Sequence, residues 1–93
     1  MEVKFEVRDG ELYIDGKKVI KGWETFNGWY WFAVEKVRDQ ISIIDGKEVP
    51  DTIWYGLVQG FEDEWGYFSE AEIKMAGGWE INKKDLPFAG RRR

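Results

Sequence analysis

Ninety-three residues that include six Trp, six Phe and four Tyr describe one small domain with a core built from few, large side chains. The chain has no Cys and no His, which excludes a disulfide framework and the usual histidine-assisted nucleophiles and leaves almost nothing to hold zinc or an iron–sulfur cluster. A net charge of −4 argues against sequence-blind binding to nucleic acid.

No apolar run is long enough for a membrane-spanning helix, so no membrane association is expected. Met1-Glu2-Val3-Lys4-Phe5 lacks the basic-then-apolar pattern of a signal peptide, which makes the cytoplasm the expected compartment. The chain is rich in Lys and Glu and poor in Asn, Gln, Ser and Thr, a balance that resembles proteins from hot environments.

Taken in order, residues 3–24 read as a meander of short strands. Val3, Phe5 and Val7 alternate with Lys4, Glu6 and Arg8, the period of a strand with one buried face. Asp9-Gly10 follows, a two-residue hairpin signal because both residues tolerate positive φ. Counting back from that turn pairs Arg8 with Glu11, Val7 with Leu12 and Phe5 with Ile14, so opposite charges meet and apolar residues meet. Asp15-Gly16 marks a second hairpin that sets Leu12 opposite Val19, and a third strand is predicted through about Lys18–Trp23.

Thr25-Phe26-Asn27-Gly28 reads as a turn. Trp29 to Val37 is a strand with large apolar residues on both faces, as expected of a central or doubly covered strand. Residues 38–52 read as a long, partly extended connection. Gln40–Ile44 could pair and Asp45-Gly46 could turn, but Val49-Pro50-Asp51 should break pairing. Ile53–Gln59 is the next strand, predicted antiparallel to Trp29–Val37, with Gly56 marking a bulge or a close backbone approach.

Phe61 to Gly66 reads as an acidic turn and Tyr67-Phe68 as a very short strand. Ser69-Glu70-Ala71-Glu72 is a capping box, with Phe68 and Ile73 placed for a hydrophobic staple. It opens one short helix over about 70–76, closed by Gly77-Gly78. Trp79–Asn82 is a candidate last strand, Leu86-Pro87-Phe88 an extended tail, and Arg91-Arg92-Arg93 a disordered basic tail. The predicted fold is a single α+β domain over residues 1–90: a twisted, mostly antiparallel sheet of five to seven strands with one short helix against it.

One stretch is dense enough to resemble a family. Gly56-Leu57-Val58-x-Gly60-Phe61-Glu62-x-Glu64-x-Gly66-Tyr67-Phe68-Ser69-x-x-Glu72 is similar to the signature of short plasmid- and phage-borne proteins grouped as a domain of unknown function. Trp29–Glu35 and Asn82–Phe88 resemble two weaker stretches of the same family, so the likeness spans about residues 29–88. Trp65 departs from the family's Leu, Trp54-Tyr55 stand where Phe is usual, and the first 28 residues have no counterpart. The resemblance implies a shared fold and a mobile-element origin, and no activity.

The chemistry left to such a chain is carboxylate chemistry. Glu62, Asp63 and Glu64 are adjacent, and Glu70 and Glu72 lie just beyond. Residues 61–72 match a calcium loop at Asp63, Gly66, Ser69 and Glu72, but Phe61 and Trp65 stand where oxygen ligands are required. No second polar cluster suggests a paired-carboxylate hydrolase. The plainer reading is a solvated acidic turn followed by helix N-terminal charges.

Most aromatics, including Trp29, Trp31, Phe32, Trp54, Tyr55 and Phe61, are expected in the core. Two or three Trp should stay partly exposed, with Trp65 the first choice because Glu64 and Gly66 flank it in a turn. The expected function is that of a non-enzymatic protein-interaction module, an accessory protein of a mobile element or virus, needing no cofactor or metal. Its candidate surface is Glu62, Asp63, Glu64, Trp65, Tyr67 and Glu70. The alternatives are a single-stranded nucleic-acid binder using sheet aromatics, for which Lys17, Lys18, Lys21 and the Arg tail are the only cations at hand, and a divalent-metal or carboxylate enzyme.

Overall fold

Three Asp-Gly turns set the architecture. In the computed structural model, which describes residues 2–90, Asp9, Asp15 and Asp45 take φ of 53°, 51° and 52°, each followed by a Gly of positive φ. Two successive left-handed residues match the right-handed twist of the flanking strands. The result is three tight hairpins.

The first two build a small sheet from β1 (Phe5–Arg8), β2 (Glu11–Ile14) and β3 (Lys17–Lys18). Its register is the predicted one: Phe5 faces Ile14, Val7 faces Leu12 and Arg8 faces Glu11. Val19 N–H donates to the Leu12 carbonyl at 2.9 Å. The predicted third strand does not continue to Trp23. It stops after Lys18, crosses at Val19-Ile20, and re-forms as β4 (Lys21–Glu24) in a different sheet. Val19 is buried there, and Ile20 N–H already donates to Ala33 O in the second sheet at 2.8 Å.

The second sheet holds β5 (Tyr30–Ile44), β6 (Lys47–Gln59), β7 (Asp63–Ser69) and β8 (Trp79–Glu80) with β4, in the order β7-β6-β5-β4-β8. All recorded pairings are antiparallel. The domain is therefore α+β and mostly antiparallel, with the eight strands among the described residues divided between two sheets rather than gathered in one.

Residues 38–52 are not a connection. They form the outer half of a long β5–β6 hairpin closed by Asp45-Gly46, with Ile41 opposite Pro50 and Ser42 opposite Val49. Pro50 does not break the ladder because β6 pairs with β7 only from Ile53 onward. At residue 50 that side of β6 is open, and a missing N–H costs nothing there. Register shifts between Ala33 and Glu35 and between Lys36 and Arg38 add local twist to β5. Gly56 sits against the first shift, where a Cβ would lie 1.8 Å from the Phe32 carbonyl oxygen. Only a glycine permits that approach.

The large sheet is covered on both faces, as the apolar character of Trp29–Val37 requires. On one face Phe32, Leu57, Ile81 and Leu86 pack with Leu12, Ile14 and Val19 of the small sheet. The predicted extended tail at Leu86-Pro87-Phe88 is instead a 3₁₀ turn, with Leu86 and Pro87 buried, that closes this core. On the other face Trp23, Ala33 and Trp54 pack against Ile73 of the α-helix α1 (Glu70–Met75). Each large side chain so buried contributes about 1.5–3 kcal/mol.

A helix of six residues does not form alone in water. Its ends and its apolar face hold it. Ser69 caps it, its Oγ accepting from Glu72 N–H at 3.1 Å. Gly77 then takes φ +90°, and Gly78 N–H returns to the Ile73 carbonyl at 2.9 Å. No helix among the described residues is long and apolar enough to cross a membrane. The basic tail at 91–93 lies outside the described residues.

Candidate functional site

The acidic turn is shorter than its sequence suggests, and this changes the surface it makes. Only Gly60-Phe61-Glu62 turns; from Asp63 the chain is strand β7, paired with β6 over seven residues. Trp65, Tyr67 and Phe68 favour a half-buried pleated surface and draw the acids into the strand with them. The pleat then sends alternate side chains to opposite faces. Asp63 lies across from Gln59 and accepts from its amide at 3.2 Å through both carboxylate oxygens. Glu64, across from Val58, points to the other face. Glu62 and Glu64 are solvent-exposed and take no ion pair among the described residues.

Trp65 is not in the turn. It stands in β7 opposite Leu57, half-buried against the core, with its ring stacked on Tyr55 at 6.1 Å. Lys17 Nζ lies 5.3 Å from the ring centroid. Tyr67 extends the row, 5.1 Å from Tyr55, and is 72% exposed. Of the expected surface, Glu62, Glu64, Trp65 and Tyr67 thus share one strand edge and its turn.

Glu70 belongs elsewhere. Its carboxylate accepts from Trp54 Nε1–H at 2.9 Å and pairs with Lys74 at 2.9 Å. Burial works to raise its pKa, but the bonds from Lys74 and Trp54, with Lys21 nearby, hold it below the ordinary value. Glu70 fastens α1 to the sheet, its carboxylate engaged by Trp54 and Lys74, away from the β7 edge.

Asp51, which pattern reading did not single out, is a second fastening carboxylate. It is 6% exposed, and it joins the hairpin arm to the helix start. Its carboxylate accepts from Ser42 Oγ at 2.6 Å, from Ser69 Oγ, from Ala71 N–H at 2.8 Å and from Thr52 N–H at 2.7 Å. Burial pushes its pKa up, and these bonds outweigh burial to leave it below the usual value. No sequence signal marks Asp51, because all of these partners except the adjacent Thr52 lie 9 to 20 residues away.

Phe61 is the residue that the sequence misassigns. Expected in the core, it is 92% exposed at the tip of the β6–β7 turn. Its ring meets Trp29 edge-on at 5.2 Å, and Trp29 meets Trp31 at 5.9 Å. Gly60 makes room for this: a Cβ there would fall 2.4 Å from the Trp29 ring. Its position between Gly60 and Glu62 in a turn was the available clue. Phe26, in the β4–β5 turn, is 90% exposed as well. Trp29, Trp31 and Trp65 are half-buried and Trp79 is exposed, whereas Trp23 and Trp54 are buried.

The remaining chemistries gain nothing from the arrangement. Among the described residues no three acids gather as a metal site would need. Lys18 pairs with Glu11, Lys21 with Glu80, and Lys17 sits over Trp65, so the three lysines do not converge on one groove. A groove of about 680 Å³ runs between α1 and the outer hairpin, lined by Ile41, Val49, Pro50, Ala71, Lys74 and Met75. Comparison with protein-family models, with curated proteins and with solved structures finds no match to this chain.

Proposed function

We propose that the chain is a non-enzymatic protein-interaction module whose docking surface is the corner from Phe61 to Tyr67. The observation that carries the reading is Phe61, an almost fully exposed aromatic ring held on Trp29 and followed by the exposed carboxylates of Glu62, in the same turn, and Glu64, at the start of β7. Large exposed aromatics are what interfaces bury as anchors, and charges around them select the partner and steer its approach. Here the charges are negative, so the partner is a protein with a basic surface. The same charges disfavour nucleic acid at this corner. A non-enzymatic role rests on the absence of His and Cys. We place the protein in the cytoplasm, as an accessory factor of a mobile element, on its composition and motif resemblance.

The test is a capture experiment with four forms of the protein. The wild type should retain a set of partners that Glu62→Lys/Glu64→Lys loses and that Ile43→Ser, on the distant hairpin, keeps. Phe61→Ala should lose the same partners while costing less than about 1 kcal/mol of stability, since its ring is mostly in water already. Partners retained equally by all variants would refute the proposal.

A further inference from the structure

Resting on that reading, we propose that β7 receives an extended, Lys- or Arg-bearing strand of another protein, added to its outer edge as a further strand of the large sheet. β7 is the last strand on its side of the sheet. Gly60 N–H donates to the Glu62 carbonyl at 3.1 Å, which sets the phase of the β6–β7 ladder. By the alternation of antiparallel pairing, Glu64, Gly66 and Phe68 bond to β6, while Trp65 and Tyr67 turn their N–H and C=O groups outward. Pro50 obeys the same phase: it is an even-numbered residue of β6, and its missing N–H faces away from β5.

The other edges are blunted along their length, whereas the charges of this one, Asp63 and Glu64, are confined to its start. The outer length of β5 carries two register shifts with Lys36 and Arg38, and that of β6 carries Lys47 and Pro50. β3 and β8 are two residues long, and β1 is four residues ending in Arg8. These are the devices by which sheets avoid unwanted pairing. β7 runs seven residues with no Lys, Arg, Pro or register shift. Such an edge is a template for strand addition.

The side chains specify the added strand. On one face its residues would lie beside Trp65 and Tyr67, which calls for apolar side chains. On the other they would lie beside Glu64, which calls for a cation. Gly66 stands between, with nothing within 4 Å of where its Cβ would be, and leaves room for a large side chain opposite. The recognised segment therefore alternates basic and apolar residues. A second copy of this chain would instead bring the same exposed acids and a like net charge of −4.

An eight-residue peptide alternating Lys and Val, titrated into the ¹⁵N-labelled protein, tests this. The amides of Trp65 and Tyr67 should exchange about tenfold more slowly in the complex, because they open freely without it. Those of Glu64, Gly66 and Phe68, already bonded, should change little. The same peptide N-methylated on its valines should bind at least about tenfold more weakly, having lost the backbone bonds. Equal binding by the methylated peptide would overturn strand addition while leaving the corner as a docking surface. Unchanged binding to Glu64→Lys would instead remove the corner itself. Slowed exchange that appears without peptide and grows with protein concentration would assign the edge to a second copy and overturn the proposal.

Discussion

Replacing Asp51 by Asn should loosen the hairpin arm and the helix together. The carboxylate serves two hydroxyls and two backbone N–H groups from three parts of the chain: Ser42 on β5, Thr52 on β6, and Ser69 with Ala71 at the start of α1. An amide keeps one oxygen for Ala71 and Thr52 but turns an NH₂ toward the two hydroxyls. It also removes the charge that strengthens every bond. Hydrogen bonds to a charged group contribute about 1.5–3 kcal/mol each, and they do not add when they share one acceptor. A net loss of about 2–3 kcal/mol is expected, or roughly 10–20 °C in Tm for a domain of this size.

The loss should depend on pH. A carboxyl that is more acidic in the fold than in the unfolded chain stabilises the fold above the unfolded value of about 3.9. That contribution disappears as the pH falls through the lower, folded value. The gap between wild type and Asp51→Asn should therefore be constant above about pH 5 and shrink below about pH 4. Thermal unfolding followed by circular dichroism from pH 2.5 to 7 measures it. A gap under about 0.5 kcal/mol at pH 7, or one that does not change with acid, would refute the account.

Gly56→Ala should be among the most damaging single changes, costing about 3 kcal/mol or more, because the new methyl meets backbone atoms that cannot rotate away. Chemical denaturation checks it, and a cost near that of an ordinary strand Gly→Ala change would argue against the close approach. The two buried Trp residues should behave differently when cut to Phe. Trp54→Phe frees a Glu70 oxygen that Trp54 Nε1–H now occupies. Trp23 Nε1–H is buried with no acceptor among the described residues, so Trp23→Phe removes an unmet polar group along with ring volume. Paired unfolding curves should show the Trp54 change to be the costlier by about 1 kcal/mol.

The hairpins were legible because their information is local. A two-residue Asp-Gly turn fixes register by counting, and Phe5–Ile14 and Val7–Leu12 fall where counting puts them. The cap at Ser69 was legible for the same reason. What was not legible depends on distant partners. Whether Pro50 breaks a strand depends on how far β7 reaches, and whether Gly66 turns or pairs depends on β6 being there to pair with. The role of Asp51 depends on a helix eighteen residues on. The candidate corner was half legible: the run of acids and aromatics marks the place. Its division into two faces needs the pleat, and the exposure of Phe61 needs Gly60 and Trp29.

The docking surface is tested most directly by where a bound basic protein shields this chain. Hydrogen–deuterium exchange, with and without such a partner, reads that footprint. New protection should be confined to residues 60–68, with the outer hairpin at 38–52 and the groove beside α1 unchanged. Protection centred on Ile41, Val49 and Met75 instead, with 60–68 unaffected, would contradict the central claim and move the docking surface to the groove.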